Sequence, residues 1–300
     1  MVLRKTYRGK PHPNSDLWHA MRPIAGKTWA DSNFQTTDTL LRGAGLTNAC
    51  VTIVHLVRRG LGIDDAGGVG PGKTLFSTGV SGANGYAMRQ IAPSMSSTYG
   101  RFEVLLGASG GGGEVIPMNQ DDAGDLEDVT LDLHRPFEGR VQITGFSASS
   151  SAYDDPQSFP FINGRDMRRP SWTDHFLSGS AGPAASLRLM KGHGATSVEG
   201  PTDDYLIGYA VHEDPITPEE AFLLTQEVML ARDIPEIPQL GGPTFDYIWS
   251  VKRHMGLGVG SSAVFSPWSS DGASPSKDFA INGTVADLEV VQLNADLGVR

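Results

Sequence analysis

The sequence predicts an all-β fold flanked by a single helix, and three observations predict it. Helical periodicity is confined to one stretch near residue 220, whereas short runs rich in β-branched and aromatic residues recur along the chain. Glycine is abundant, at 37 of 300 residues, as closely spaced turns require. Two of the intervening turns are Asn84-Gly85 and Asn163-Gly164. Asn-Gly suits a two-residue hairpin loop because both of its residues tolerate positive φ.

Residues 1–38 are irregular, with Pro11, Pro13 and Pro23 behind a basic opening of Arg4, Lys5, Arg8 and Lys10. They are expected to form an extended N-terminal arm that wraps a neighbour, with Trp18 and Trp29 as its assembly anchors. Residues 39–235 hold the main domain. Its strand-like runs are VTIVHLVRR (51–59), KTLFSTG (73–79), NGYAMRQ (84–90), GRFEVLLG (100–107), GRVQITGFSAS (139–149) and FPFINGRDM (159–167). Glycine-rich connections fill 60–72 and 107–113, the second leading to an acidic run at 121–128. Residues 147–185 read as a long, loop-rich insertion, and loops of that length are commonly functional.

A strand at 205–212 then runs into the helix. Thr217 is its N-cap, Pro218 its first helical residue and Glu220 the reciprocal partner of a capping box. Glu219 and Glu220 also suit the positive end of the helix dipole. Ala221, Leu224, Val228 and Ala231 make an apolar stripe, widened by Phe222 and Met229, and Pro235 ends it. A proline-spaced linker follows at 233–243. Residues 244–300 carry four short strand-like runs, read as a small C-terminal β module or as strands returning to complete the sandwich.

Charge and cysteine content narrow the partners. Lysine and arginine total 24 against 34 acids, a net charge of −10 with no basic stripe, which argues against nucleic-acid binding. The single cysteine, Cys50, rules out an intramolecular disulfide and reads as a buried, inert thiol. No apolar run approaches the ~20 residues that a membrane span needs. The basic opening lacks the apolar core of a signal peptide, so synthesis in the cytoplasm is expected.

Motifs that look catalytic lack their structural context. Residues 67–74, GGVGPGKT, satisfy the phosphate-loop pattern, but the preceding strand ends about ten residues early and no helical pattern follows. Residues 107–111 satisfy the nucleophile-elbow pattern, yet glycines stand where its helix should begin. Asp128 and Asp132 share a strand face ~13 Å apart at ~3.3 Å per residue, too far for paired glycosidase acids. An Asp132–His134 pair stands beside them on that face. The histidines show no zinc spacing. Asp121, Asp122 and Asp125, with Glu127 and Asp128, are the candidate calcium ligands, and no other cofactor is expected. Tyr153, Trp172 and His175 in the insertion, and Trp268 in SPWSSDG, are the candidate ligand-binding residues. Each is a stacking surface for a sugar, an interface anchor or local packing.

The strand, polar turn and ITPEEA helix start at 205–221 resemble the closing segment of laminin-G-like, concanavalin A-like jelly-roll domains. The runs from 51 to 167 fall in that family's order, so the resemblance covers roughly 39–232. It implies a jelly-roll sandwich with one flanking helix, no catalytic motif, and a rim calcium as often found in such domains. Phage structural and adhesion proteins use domains of this kind. The implied function is a non-enzymatic structural or adhesion component of a phage or phage-like particle, in a homo-oligomeric or multi-protein assembly with other virion proteins. Its location would be the virion or an extracellular particle, and a host-surface glycan its target. The alternative is a carbohydrate-binding or carbohydrate-cleaving protein on the same scaffold, and a third reading is a bacterial module with a protein ligand.

Overall fold

A computed structural model describes residues 19–31, 48–56, 73–77, 86–91, 101–106, 114–117, 141–149, 158–168, 187–192, 200–201, 204–212, 214–229, 247–251, 264–265, 279–280 and 288–293. In chain order the strands begin with β1 (His19–Pro23), β2 (Ala49–Leu56), β3 (Lys73–Ser77), β4 (Tyr86–Ile91), β5 (Arg101–Leu106), β6 (Glu114–Pro117) and β7 (Val141–Ala148). There follow β8 (Phe159–Ile162), β9 (Arg165–Asp166), β10 (Arg188–Leu189), β11 (Gly200–Pro201) and β12 (Tyr205–His212). The helix α1 (Pro218–Met229) precedes β13 (Tyr247–Ser250), β14 (Val264–Phe265), β15 (Phe279–Ala280) and β16 (Leu288–Gln292).

Two sheets form an all-β sandwich with one flanking helix. The eight-stranded sheet runs β16-β1-β12-β2-β7-β8-β9, with β13 also on β12; the six-stranded sheet runs β10-β3-β4-β5-β6, with β11 also on β3. Every pairing between strands is antiparallel except β11 with β3. Alternation along each strand sorts the side chains into two cores. Val51, Ile53, Phe146, Leu206 and Tyr209 meet Leu75, Phe76, Met88 and Leu189 between the sheets. Cys50, Val54, Ile143, Phe161 and Ile207 fill the other face of the larger sheet, beneath Ala221 and Leu224 of α1. β2 and β7 are therefore buried at every position, as strands covered on both faces must be.

The helix begins as its sequence dictates. Glu220 N donates to Thr217 Oγ1 at 3.2 Å, and Thr217 N donates to Glu220 Oε2 at 2.7 Å, closing the capping box. Just ahead, Ser147 of β7 donates its hydroxyl to Ile216 O at 3.1 Å and accepts from Ile216 N at 2.9 Å, which clips the helix start onto the sheet. Phe222 departs from the expected stripe. It is 39% exposed, because one residue beyond Ala221 the helix has turned ~100° away from the sheet.

The Asn163-Gly164 turn also forms, with φ of 50° and 74°. Asn163 does more than turn: its N donates to Ile143 O and its Oδ1 accepts from Ile143 N, extending the ladder to β7 by one rung. A Cβ on Gly164 would lie 2.9 Å from Phe222 Cα, so glycine lets α1 approach the hairpin. Asn84-Gly85 lies outside the described residues.

Several boundaries need correction. Within the expected arm, 19–31 belong to the sandwich: β1 is an interior strand between β12 and β16, and Trp29 is fully buried in the core. Pro23 misled the reading, but it ends β1, where the missing amide is harmless. At the other terminus β13 and β16 pair with β12 and β1, so these strands complete the larger sheet rather than forming a module apart; β14 and β15 pair with each other. The insertion is interrupted by the β8-β9 hairpin. Lys73 and Thr74 of the phosphate-loop pattern open β3 and pair with β4, so no helix follows that glycine run.

Gly145 sits directly opposite Phe161 in the β7-β8 ladder, and a Cβ there would overlap the Phe161 ring. Gly145→Ala is expected to cost at least about 1–3 kcal/mol by overpacking, read as a lowered urea midpoint. Gly26→Ala, at φ 81° with nothing within 4 Å of the new Cβ, should lose only the left-handed backbone penalty of about 1–2 kcal/mol.

Candidate functional site

Inward-facing positions of β2 are apolar until His55, which continues the series Ala49, Val51, Ile53. There Nδ1 lies 2.8 Å from Asp204 Oδ2 and Nε2 lies 3.1 Å from Thr144 Oγ1. Gln142 Nε2 donates to the same Thr144 hydroxyl at 3.0 Å, and Trp29 Nε1 donates to Asp204 O at 2.9 Å. Register explains the meeting, for His55 pairs with Gln142 on one side and Leu206 on the other. The order carboxylate, imidazole, hydroxyl is that of a relay that activates a nucleophile. Here all three side chains are wholly buried, and the hydroxyl is also taken up by Gln142. The cluster is a clamp joining β2, β7, β12 and the Trp29 turn. Sequence reading passed it over, although a histidine at an inward position of an apolar strand was the available signal.

A second polar group lies on the opposite side of the smaller sheet. Met88 pairs with Phe76, and both enter the inter-sheet core. One step along, Arg89 pairs with Thr74 and Glu103, so this rung occupies the outward face. Arg89 is 6% exposed and Thr74 fully buried. Thr74 Oγ1 has no hydrogen-bond partner among the described residues. The next rung on that face holds Ala87, the buried Ser77 and Arg188, whose Nη1 donates to Gly192 O at 3.3 Å. Lys191 follows nearby, its pKa pushed down to about 8 by burial and then by Arg188. The intervening Met190 takes a left-handed φ of 63°, and its N–H donates to Leu75 O, exposed by the bulge in β3.

Of the residues singled out in the sequence, Trp29 is a core residue rather than an assembly anchor. Tyr153, Trp172, His175, Trp268, Trp18, Asp121, Asp122, Asp125, Asp132 and His134 lie outside the described residues. The points from which two of their segments leave are described. Ser158 Oγ accepts from Ser149 N at 2.7 Å and donates to Ser149 O, closing the neck of 150–157. Arg168 holds Asp166 at 2.6 Å and lies over the Phe159 ring, fixing the start of 169–186. Met167 N donates to Pro160 O, so both segments leave the same end of the β8-β9 hairpin. Among the described residues no helix is long and apolar enough to cross a membrane, and no metal-binding group of three occurs.

No family model matches the chain, and no curated protein does. Solved structures do resemble it. Trypanosoma rangeli sialidase in complex with sialic acid is 8% identical with a TM-score of 0.37, over 63% of this chain and 24% of that one. The heptameric SAP-like pentraxin from Limulus polyphemus is 8% identical, TM-score 0.37, over 81% and 90%. The Ruminococcus gnavus IT-sialidase CBM40 is 13% identical, TM-score 0.33, over 60% and 83%. The chain thus spans about a quarter of the sialidase. The fold assignment rests on this chain's own sheets.

Removing one partner from the buried clamp leaves the other uncompensated. Asp204→Ala should destabilise by about 3–5 kcal/mol and Thr144→Val by about 1–3 kcal/mol, both measured by urea unfolding. Cys50 is wholly buried beneath α1, and burial pushes its thiol up to about 12. The folded protein should not react with Ellman's reagent at pH 8, and the urea-unfolded protein should titrate one thiol.

Proposed function

We propose that this chain is a non-catalytic recognition domain of the β-sandwich class that attaches to saccharide. The observation that carries the reading is the contrast between the two outward faces. The larger sheet turns an apolar face outward and covers it with α1. The smaller sheet places Thr74, Ser77, Arg89 and Arg188 on the face turned away from the inter-sheet core, the first three buried there and Arg188 partly exposed. Convergent polar groups on a rigid sheet are what polyol recognition needs. In sequence, Tyr153 and Trp172 fall in the two segments that flank the β8-β9 hairpin, and both are residue types that stack on sugars. The absence of catalysis is part of this proposal, since the one relay-like arrangement among the described residues is sealed from substrate. Of the arm expected to attach such a domain to a particle, residues 19–31 lie in the sandwich instead.

A glycan array probed with the purified protein should give positive spots, and Trp172→Ala should weaken them at least tenfold. Incubation with the bound glycan should release no new reducing ends. A blank array would remove the saccharide reading, and released ends would replace recognition with cleavage.

A further inference from the structure

We infer that β16 is the seam of a two-fold dimer, in which the same strand of a second copy of this chain pairs antiparallel with it and joins the two larger sheets into one. A sheet edge leaves a row of backbone donors and acceptors unpaired, and proteins that stay apart guard it with very short strands, proline, lysine or bulges. The other margins carry such guards. β9, at the far end of the larger sheet, has two residues and lies against α1. In the smaller sheet β10 and β11 have two residues each, and β6 ends in Pro117. β13 stands on the same side of β12 as β1, so β16 reaches one strand position further out. β16 has none of these guards. It runs for five residues, LEVVQ, in unbroken register with β1, and pairs with no strand on its other side among the described residues.

The composition of the strand selects its partner. Val290 leans on the core between the sheets and Val291 on the layer beneath α1, and both are only partly buried. A strand laid against this edge has to be apolar on both faces at its centre, and β16 is itself such a strand. Placed antiparallel about an axis at Val290, it sets Val290 against its own copy, Glu289 against Val291 and Leu288 against Gln292. No two like charges meet. The one charge on the strand, Glu289, is already paired with Arg22 at 2.7 Å. Each copy carries a net charge of −10, so long-range repulsion opposes the dimer while the ladder and the apolar contacts hold it.

The test is sedimentation velocity on the full chain across micromolar concentrations, joined to cysteine cross-linking. Wild type should form a reversible dimer. Raising salt from about 0.1 to 1 M should tighten it by about threefold or more, because the Debye length falls from ~10 to ~3 Å and screens the repulsion between two acidic copies. Val290→Cys puts a thiol on the axis, where facing Cα atoms stand ~4.5–5.5 Å apart, within disulfide range. The native Cys50 is buried beneath α1 and stays out of the reaction. Mild oxidation should link most of Val290→Cys into dimers. Gln292 is exposed, but the thiols of Gln292→Cys would sit four residues or ~13 Å apart and should link about tenfold more slowly. Val290→Lys sets two ammonium groups face to face and should weaken the dimer by about tenfold or more. Val290→Cys keeps the test decisive if that variant fails to fold. Single copies at every concentration, equal linking of the two cysteine variants, or a dimer that Val290→Lys leaves unchanged would overturn the inference, as would a dimer that salt weakens.

Discussion

Burial of the larger sheet on both faces is the constraint on which the rest depends. β2, β7 and most of β12 have no solvent side, so every side chain there must be apolar or hydrogen-bonded. The clamp of His55, Asp204, Thr144 and Gln142 meets that condition toward the inter-sheet core. Ser147 meets it by holding Ile216, which seats the helix over the hydrophobic layer around Phe161 and Ile207. The indole of Trp29 reaches the Asp204 carbonyl, tying the turn after β1 to the head of β12. Three distant parts of the chain, near residues 29, 55 and 204, are thereby held by one polar knot. Exchanging one member strands the partner it leaves behind.

Much of the fold was legible because it is locally encoded. The capping box at Thr217 and Glu220, the Asn163-Gly164 turn and the cores of β2, β7 and β12 each depend on neighbours in sequence, and each forms where the pattern places it. What the sequence hid is what depends on distant partners. No local pattern says that β1 will lie between β12 and β16, a pairing of residues 19–23 with 288–292. Pro23 and the scattered prolines before it looked like an arm, when one of them simply closes an interior strand. The bulge at Leu75 has no glycine or asparagine to announce it, yet it turns the Leu75 carbonyl toward Met190.

The candidate site was least legible of all, and the reason is again long-range. Arg89 lies in a run, YAMRQI, that reads as an ordinary alternating strand, and arginine on a strand is by default a solvated outward residue. Only the register with Thr74 and the loss of solvent from both make the rung unusual. The aromatic candidates were chosen for the opposite reason, as bulky residues in loops with no strand to explain them. Of the segments that carry the aromatic candidates, the take-off points at Ser158 and Arg168 are described. They show the hairpin end, braced by the Arg168–Asp166 pair and by the Phe159 ring, from which those segments start.

A final asymmetry concerns where charge is placed in an acidic chain. Arg22 on β1 is paired with Glu289 and stacked on Tyr205 at the larger sheet's surface, a partly exposed arrangement that water screens and that needs nothing further. Arg89 on the smaller sheet has lost that screening, and in a low-dielectric setting an acceptor interacts with it more strongly than at a wet surface. The same residue type thus does different work on the two sheets. On the first it ties three neighbouring strands together at the surface. On the second it places a guanidinium on a rung that has lost most of its solvent, in a chain whose acids outnumber its lysines and arginines by ten.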